Sequence, residues 1–177
     1  MEKYIFLDVD GVLNNTKYTK KIHDKYNMHF IAHEMPFDPK CLKRLGKLVH
    51  ATGAKIVLTS SWRKDLKCEV VLKARLKEYG VKIYDMLPLE SHSSERGATI
   101  KQWLNEHVEI EKDVMYADNV PYETKITYNC KYIVIDDYSY DLYERINSSN
   151  IIMCNPNKGF TDSDMVLAIY KLNSEGD

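Results

Sequence analysis

The sequence predicts an α/β fold in which helices cover both faces of a five-stranded, mainly parallel sheet. Three observations carry that expectation. Short apolar, β-branched runs alternate with helix-patterned segments along the chain, as expected of strand–helix–strand units. Cap and turn residues stand where one pattern gives way to the other. Polar clusters follow directly after three of the apolar runs, and in parallel sheets ligands bind beyond the carboxyl ends of the strands.

The elements follow in chain order. Residues 3–9 read as an apolar strand that Asp10-Gly11 closes with a turn. Asp38-Pro39 supplies an N-cap and a proline at the first helical position. Cys41, Leu42, Leu45, Leu48 and Val49 continue at helical spacing; Gly46 weakens that helix slightly and Gly53 stops it. Residues 54–59 are a second strand. Residues 65–79 form a helix ending at Gly80, with Glu69 and Lys73 spaced to pair and an imperfect stripe of Leu66, Val70, Leu72 and Leu76. Residues 81–87 form a third strand, stopped by Pro88. In the next helix Ile100, Trp103, Leu104 and His107 share a face, and Ser93 or Ser94 caps its start. Residues 131–135 are the fourth strand, 138–146 a short helix and 151–154 the fifth strand. Thr161-Asp162-Ser163-Asp164 matches a capping box, and Met165, Ala168, Ile169 and Leu172 extend it into a terminal helix.

Composition narrows the function. With 177 residues, 44% hydrophobic and 29% charged, the chain suits one globular domain spanning 1–177. A net charge of -1 gives no global attraction to nucleic acid or acidic membranes, so any polyanion affinity must be local. No apolar run approaches the roughly 18–20 residues that span a bilayer, and the first residues run straight into a strand rather than a signal peptide. The four cysteines are far apart and form no CxxC pair, which speaks against zinc and a disulfide framework and for reduced thiols in a cytoplasmic protein.

The polar clusters are Asp8-Val9-Asp10, Thr59-Ser60-Ser61 and Asp136-Asp137. Alternation places Asp8 and Asp10 on one side of a regular strand. Carboxylates gathered at a site of low dielectric repel. A divalent cation relieves that repulsion, and a third carboxylate from Asp136-Asp137 completes a hard oxygen site suited to Mg²⁺. One aspartate can then attack phosphorus while the second moves the leaving-group proton. Thr59 or Ser60 can donate to a phosphoryl oxygen, and an Arg or Lys would balance the transition-state charge.

Asp8-Val9-Asp10-Gly11-Val12-Leu13 resembles motif I of the haloacid-dehalogenase-like (HAD) hydrolase superfamily, DxDG(T/V). Val57-Leu58-Thr59-Ser60 is similar to its motif II, and Ile133-Val134-Ile135-Asp136-Asp137 to the double-Asp form of motif IV. Three further features resemble the small HAD domains of RNA-repair proteins and the phosphatase domain of polynucleotide kinase-phosphatase. These are Thr59-Ser60-Ser61-Trp62-Arg63, the helix from Arg96-Gly97 to Trp103-Leu104, and Gly159-Phe160-Thr161.

The resemblance implies a Rossmann-like three-layer sandwich and an aspartyl-phosphate mechanism. Asp8 is then the nucleophile and Asp10 the general acid/base, its carbonyl on the metal. Asp137 is the preferred motif IV ligand, with Asp136 in support. Thr59 is preferred over Ser60 for motif II, and Asp141 stands where some members carry a further acid. Motif III departs from the family's lysine: Arg96 occupies the first turn of its helix, Lys101 lies deeper, and Arg96 is preferred. Gly11, Ser60 and Arg63 are the expected substrate contacts; the alternative for Arg63 is a solvated helix start.

Residues 14–37 stand where the family inserts a cap and are too short for a full one. They are expected to form a small flap, with Tyr18, His23, Tyr26, His29, Phe30 and His33 either stacking on a base and contacting phosphate or packing locally. Residues 108–130 are longer than a helix-to-strand link needs and form a hairpin or a lid. Trp62 and Trp103 read as packing residues. An open site favours nucleotide or polynucleotide terminal phosphates as substrate. The alternatives are a sugar phosphate or mononucleotide, or a catalytically silent domain that only binds RNA or protein.

Overall fold

Alternation along one strand sets the layers. In β1 (Glu2–Leu7), Ile5 and Leu7 enter one apolar cluster while Tyr4 and Phe6 enter another, because successive strand side chains point to opposite faces. All four are buried, so this strand lies mid-sheet and is covered on both sides. The computed structural model describes residues 1–117 and 120–174, the side chains of Ser93 and residues 116–123 excepted. After β1 come α1 (Thr16–Tyr26), α2 (Pro39–Thr52), β2 (Lys55–Leu58), α3 (Leu66–Lys77), β3 (Ile83–Met86) and α4 (Arg96–His107). Then follow β4 (Ile110–Ala117), β5 (Val120–Tyr128), β6 (Cys130–Asp136), α5 (Leu142–Arg145), β7 (Ile151–Met153) and α6 (Asp162–Asn173).

The main sheet has the order β3-β2-β1-β6-β7 with every neighbouring pair parallel. Leu42, Leu45 and Leu48 of α2, Leu72 and Leu76 of α3, and Ala168 and Leu172 of α6 fill one face. Ile100, Trp103 and Leu104 of α4 and Leu142 of α5 fill the other. This is the Rossmann-like three-layer arrangement. No helix among the described residues is long and apolar enough to cross a membrane.

Caps behave as the residue types dictate. Asp38 accepts from Lys40 N–H at 2.9 Å and Gly53 ends α2 at φ 67°. Thr161 and Asp164 form the reciprocal capping box of α6. The Glu69–Lys73 pair is present on α3. The buried stripe of α3 differs from the expected one: Cys68, Leu72 and Leu76 are buried, while Leu66 is 73% and Val70 58% exposed. A run at i, i+4 and i+8 faces the sheet, and each fully buried leucine in it contributes on the order of 2 kcal/mol.

Within the segment 14–37 expected as a flap, residues 16–26 form a helix capped by Asn15 through Tyr18 N–H. Two expectations are corrected. The helix expected over 138–146 shrinks to Leu142–Arg145, because Tyr140 adopts φ 41°, which no right-handed helix accommodates. The serine cap of α4 is replaced: its N-cap is Glu95, whose side chain makes no capping bond. Asp141 instead accepts from Gly97 N–H (2.6 Å) and Ala98 N–H (3.0 Å) across the fold.

Between the lid and hairpin readings of 108–130, the structure has a hairpin, β4 against β5. Its base meets the main sheet where Cys130 pairs with Glu2, at the amino ends of β6 and β1.

Candidate active site

Three adjacent strands deliver the site, each fixed at its carboxyl end by a backbone ladder bond to a neighbour. Asp8 N–H donates to Ile135 C=O (3.0 Å), Thr59 N–H to Leu7 C=O (2.9 Å), and Cys154 N–H to Asp136 C=O (2.7 Å). Asp8, Thr59 and Asp136 are therefore held in backbone before any side-chain contact is made.

The motif I loop then turns sharply. Val9 C=O accepts from the N–H groups of Val12 (3.2 Å) and Leu13 (2.8 Å), while Val9, Val12 and Leu13 anchor in the core. Gly11 has φ +70°, and a Cβ there would stand 2.1 Å from Asp137 Oδ2. The position needs glycine both for its backbone and for the approach of Asp137. Gly11 thus shapes the site next to the carboxylates rather than offering a side chain to substrate.

Asp10 is held by two groups. Asn14 Nδ2 donates to its Oδ1 at 2.7 Å, and Trp62 Nε1 lies 3.1 and 3.0 Å from its two oxygens. Trp62 is buried against Phe37, ring centroids 5.1 Å apart. Sequence reasoning took Trp62 for packing alone and passed over Asn14. The available signals were the indole N–H, which seeks an acceptor when buried, and an Asn placed within the turn that follows Asp10. Trp103 packs on Tyr4 and Phe6 and donates to Asp85 at 2.6 Å, away from the aspartates.

Arg96 is buried, lies 2.9 Å from Asp8 Oδ1 and donates to Asp136. The Tyr140 ring stacks 4.5 Å from its guanidinium carbon. Lys101 is exposed and lines a separate hollow with Lys131 and Asn147. Of the two motif III candidates, only Arg96 meets the aspartates.

Thr59 Oγ1 is buried without a hydrogen-bond partner among the described residues. Ser60 Oγ accepts weakly from Trp62 N–H at 3.5 Å and caps the short turn Ser61–Lys64. Arg63 corrects its expectation as a substrate contact. Its Nε donates to Leu87 C=O (3.0 Å), its Nη1 to the carbonyls of Thr59 and Ser60, and its Nη2 to Pro88 C=O (3.2 Å) and Ser91 Oγ (2.6 Å). A buried guanidinium spent on protein carbonyls ties the loops after β2 and β3 together and keeps no side for a phosphate.

Asp8, Asp136 and Asp137 offer oxygens that lie within 4.8 Å of one another. Burial pushes Asp8 up to about 7; Arg96 pulls it down, and Asp136, Asp10 and Asp137 add repulsion. Burial also raises Asp136 against the pull of Arg96, and raises Asp137 together with repulsion from Asp136. One guanidinium does not balance these carboxylates. An all-oxygen set with excess negative charge fits Mg²⁺ better than a softer metal. Asp136 is spent on Arg96 and Tyr138 N–H (3.0 Å), which leaves Asp8 and Asp137 as the stronger candidate ligands.

A cleft of about 580 Å³ opens from Asp10, Gly11 and Asp137. α1 forms one wall, and His29, Phe30 and Met35 another. Of the aromatic and histidine residues expected on the flap, His23, His29 and Phe30 line it, while Tyr18, Tyr26 and His33 do not. None of the described hairpin residues lines it either.

The family model described as "HAD domain in Swiss Army Knife RNA repair proteins" matches residues 4–165. No curated protein and no solved structure matches.

Proposed function

Because the chain belongs to the family of HAD domains in Swiss Army Knife RNA repair proteins, we propose that it is a Mg²⁺-dependent phosphomonoester hydrolase acting through an aspartyl-phosphate on nucleotide or polynucleotide terminal phosphates. The observation that carries this reading is the pairing of a nucleophile with an oriented proton carrier: Asp8 against Arg96 at 2.9 Å, and Asp10 gripped by Trp62 and Asn14. A domain that only bound RNA or protein would have no use for a second aspartate oriented in this way.

Asp8, Asp137 and the carbonyl of Asp10 would hold the metal. When bound, it supplies positive charge against the carboxylates and the transferring phosphoryl group. The rest of the chemistry belongs to the chain. Arg96 holds Asp8 through Oδ1 while the carboxylate attacks phosphorus. Its bond to phosphorus forms as the bond to the leaving oxygen breaks, and Asp10 gives its proton to that oxygen. Asp10 then accepts a proton from the water that attacks the aspartyl-phosphate, releasing inorganic phosphate and restoring Asp8. Thr59 Oγ1, a buried hydroxyl without a partner among the described residues, donates to a phosphoryl oxygen. Arg96 offsets charge on the equatorial oxygens. A cytoplasmic setting suits the four free, buried thiols.

Hydrolysis of a chromogenic aryl phosphate tests the reading. Turnover should need Mg²⁺, stop with EDTA, and vanish in Asp8→Asn, whose amide cannot form the acyl phosphate. Wild-type turnover by pure Asp8→Asn protein would sink the assignment. A panel of nucleoside 3′- and 5′-phosphates, sugar phosphates and end-phosphorylated oligonucleotides ranks the substrates.

A further inference from the structure

The cleft leads away from the aspartates, and its far end carries a lysine and two histidines that cleavage of one phosphate does not use. α1 turns Thr16, Thr19, Lys20 and His23 toward it, positions i, i+3, i+4 and i+7 of one helical face. The near end is anchored, because Asn14 just before the helix donates to Asp10 at 2.7 Å. From Thr16 to His23 the helix rises about 10 Å, so His23, with Lys20 one turn before it, stands about that far along the helix from the end anchored at Asp10. His29 joins them, its ring 4.9 Å from that of His23. His23 turns Nδ1 to Asp24 at 3.2 Å, which leaves Nε2 for a ligand.

The lining separates by charge. Its acids, Asp10 and Asp137, lie at the catalytic end, and its basic residues are Lys20, His23 and His29. Phe30 and Met35 supply apolar surface between polar groups. The volume of about 580 Å³ far exceeds one phosphate and lies in the range of sites for whole small molecules.

We propose that the far end of the cleft binds a second phosphate of the substrate, one nucleotide removed from the phosphate that is cleaved. The inference rests on the hydrolase reading above and makes it more specific. The enzyme then prefers a nucleoside 3′,5′-bisphosphate, or a dinucleotide with a terminal phosphate, over a nucleoside bearing the scissile phosphate alone. The bisphosphate offers a phosphomonoester to Lys20 and the histidines and the dinucleotide a phosphodiester, so the two substrates tell the sources apart.

The test compares kcat/KM for these substrates in the wild-type protein and in Lys20→Ala/His23→Ala, with melting temperature as the check on folding. Charge-assisted bonds of this kind predict a preference of about tenfold or more, expressed in KM, that falls toward one in the double variant. Lys20→Gln, at an exposed position, should lose part of it should the double variant fail to fold. Equal kcat/KM for mono- and bisphosphate in the wild type overturns the inference while leaving the hydrolase reading standing. So does a preference that survives both variants, or a sugar phosphate that outranks the bisphosphate. If no phosphate ester is hydrolysed, the hydrolase reading fails and calorimetry on the same proteins with Mg²⁺ decides. Tighter binding of the bisphosphate than of the monophosphate, lost in the variants, upholds the second site, and equal binding removes it.

Discussion

Trp62 does two jobs at one position. Its ring fills space against Phe37, and its N–H reaches both oxygens of Asp10. Trp62→Phe separates the two, since phenylalanine keeps most of the packing and has no donor. With Asn14 still bonded to Asp10, the carboxyl stays near its place but loses orientation. The expected result is a drop in kcat of about tenfold on an alkyl phosphate, which needs its leaving oxygen protonated, and a smaller drop on nitrophenyl phosphate, which does not. Asp10→Asn should show the same leaving-group dependence in stronger form. Equal losses on both substrates would reduce Trp62 to a packing residue. At this scale the positions after strands pointed to Asp8, Asp10, Thr59 and the Asp136-Asp137 pair, and the family resemblance pointed to Arg96 in the first turn of its helix and to Asp137 within the pair. The sequence did not show how Arg63 is spent, because the carbonyls that consume its donors come from the loop after β3 as well as from its own. Such a pairing has no local pattern.

At the scale of elements, the segments with strong local signals were legible and those set by distant partners were not. α2 and α6 carry their own caps, Asp38 and Thr161, and both helices form where expected. α4 borrows its cap from Asp141, far along the chain, while its N-cap residue Glu95 makes no capping bond. The same loan explains why α5 starts late. Tyr140 lies over Arg96 in a left-handed conformation, and Asp141 faces α4 instead of beginning a helical turn. One loop thus orients both the start of α4 and the guanidinium at that start. A Cβ on Gly97 would stand 2.9 Å from Asp141 C=O, so the approach is as close as the backbone permits. Asp141→Ala should cost about 1 kcal/mol of stability through the lost cap. It should also lower kcat, because Arg96 is the first residue of the helix it frees. Asp141→Asn, which retains an acceptor, should recover most of both. Denaturant unfolding and steady-state kinetics on the same samples check the pair. A stability loss with unchanged kcat would show that the cap does not position Arg96.

For the whole molecule, the parallel sheet brings carboxylates together at the carboxyl ends of β1 and β6, and folding must bear their repulsion. Asp8 is pushed up to about 7 by burial, against the pull of Arg96, and Asp136 and Asp137 are raised as well. An aspartate in the unfolded chain titrates near ~3.9. Between these values the folded protein holds more protons on Asp8 than the unfolded one, so Asp8 makes stability fall as pH rises from about 4 to about 7, and Asp136 and Asp137, also raised, act in the same direction. Glu2 and Asp162 are shifted the other way by Lys55 and Arg44. Their contribution is lost only as pH falls below the ordinary carboxylate range, outside this window. Metal-free protein should therefore melt at a higher temperature at pH 5 than at pH 8. Mg²⁺ binds the deprotonated cluster and stabilises by mass action, so the rise in melting temperature on adding Mg²⁺ should be larger at pH 8 than at pH 5. Asp8→Asn removes the group with the largest raised value from the cluster. It should flatten the metal-free pH profile and shrink the response to Mg²⁺ together, because one set of oxygens is responsible for both. A melting temperature that rises with Mg²⁺ equally at both pH values, or equally in Asp8→Asn, would place the bound ion elsewhere on the molecule.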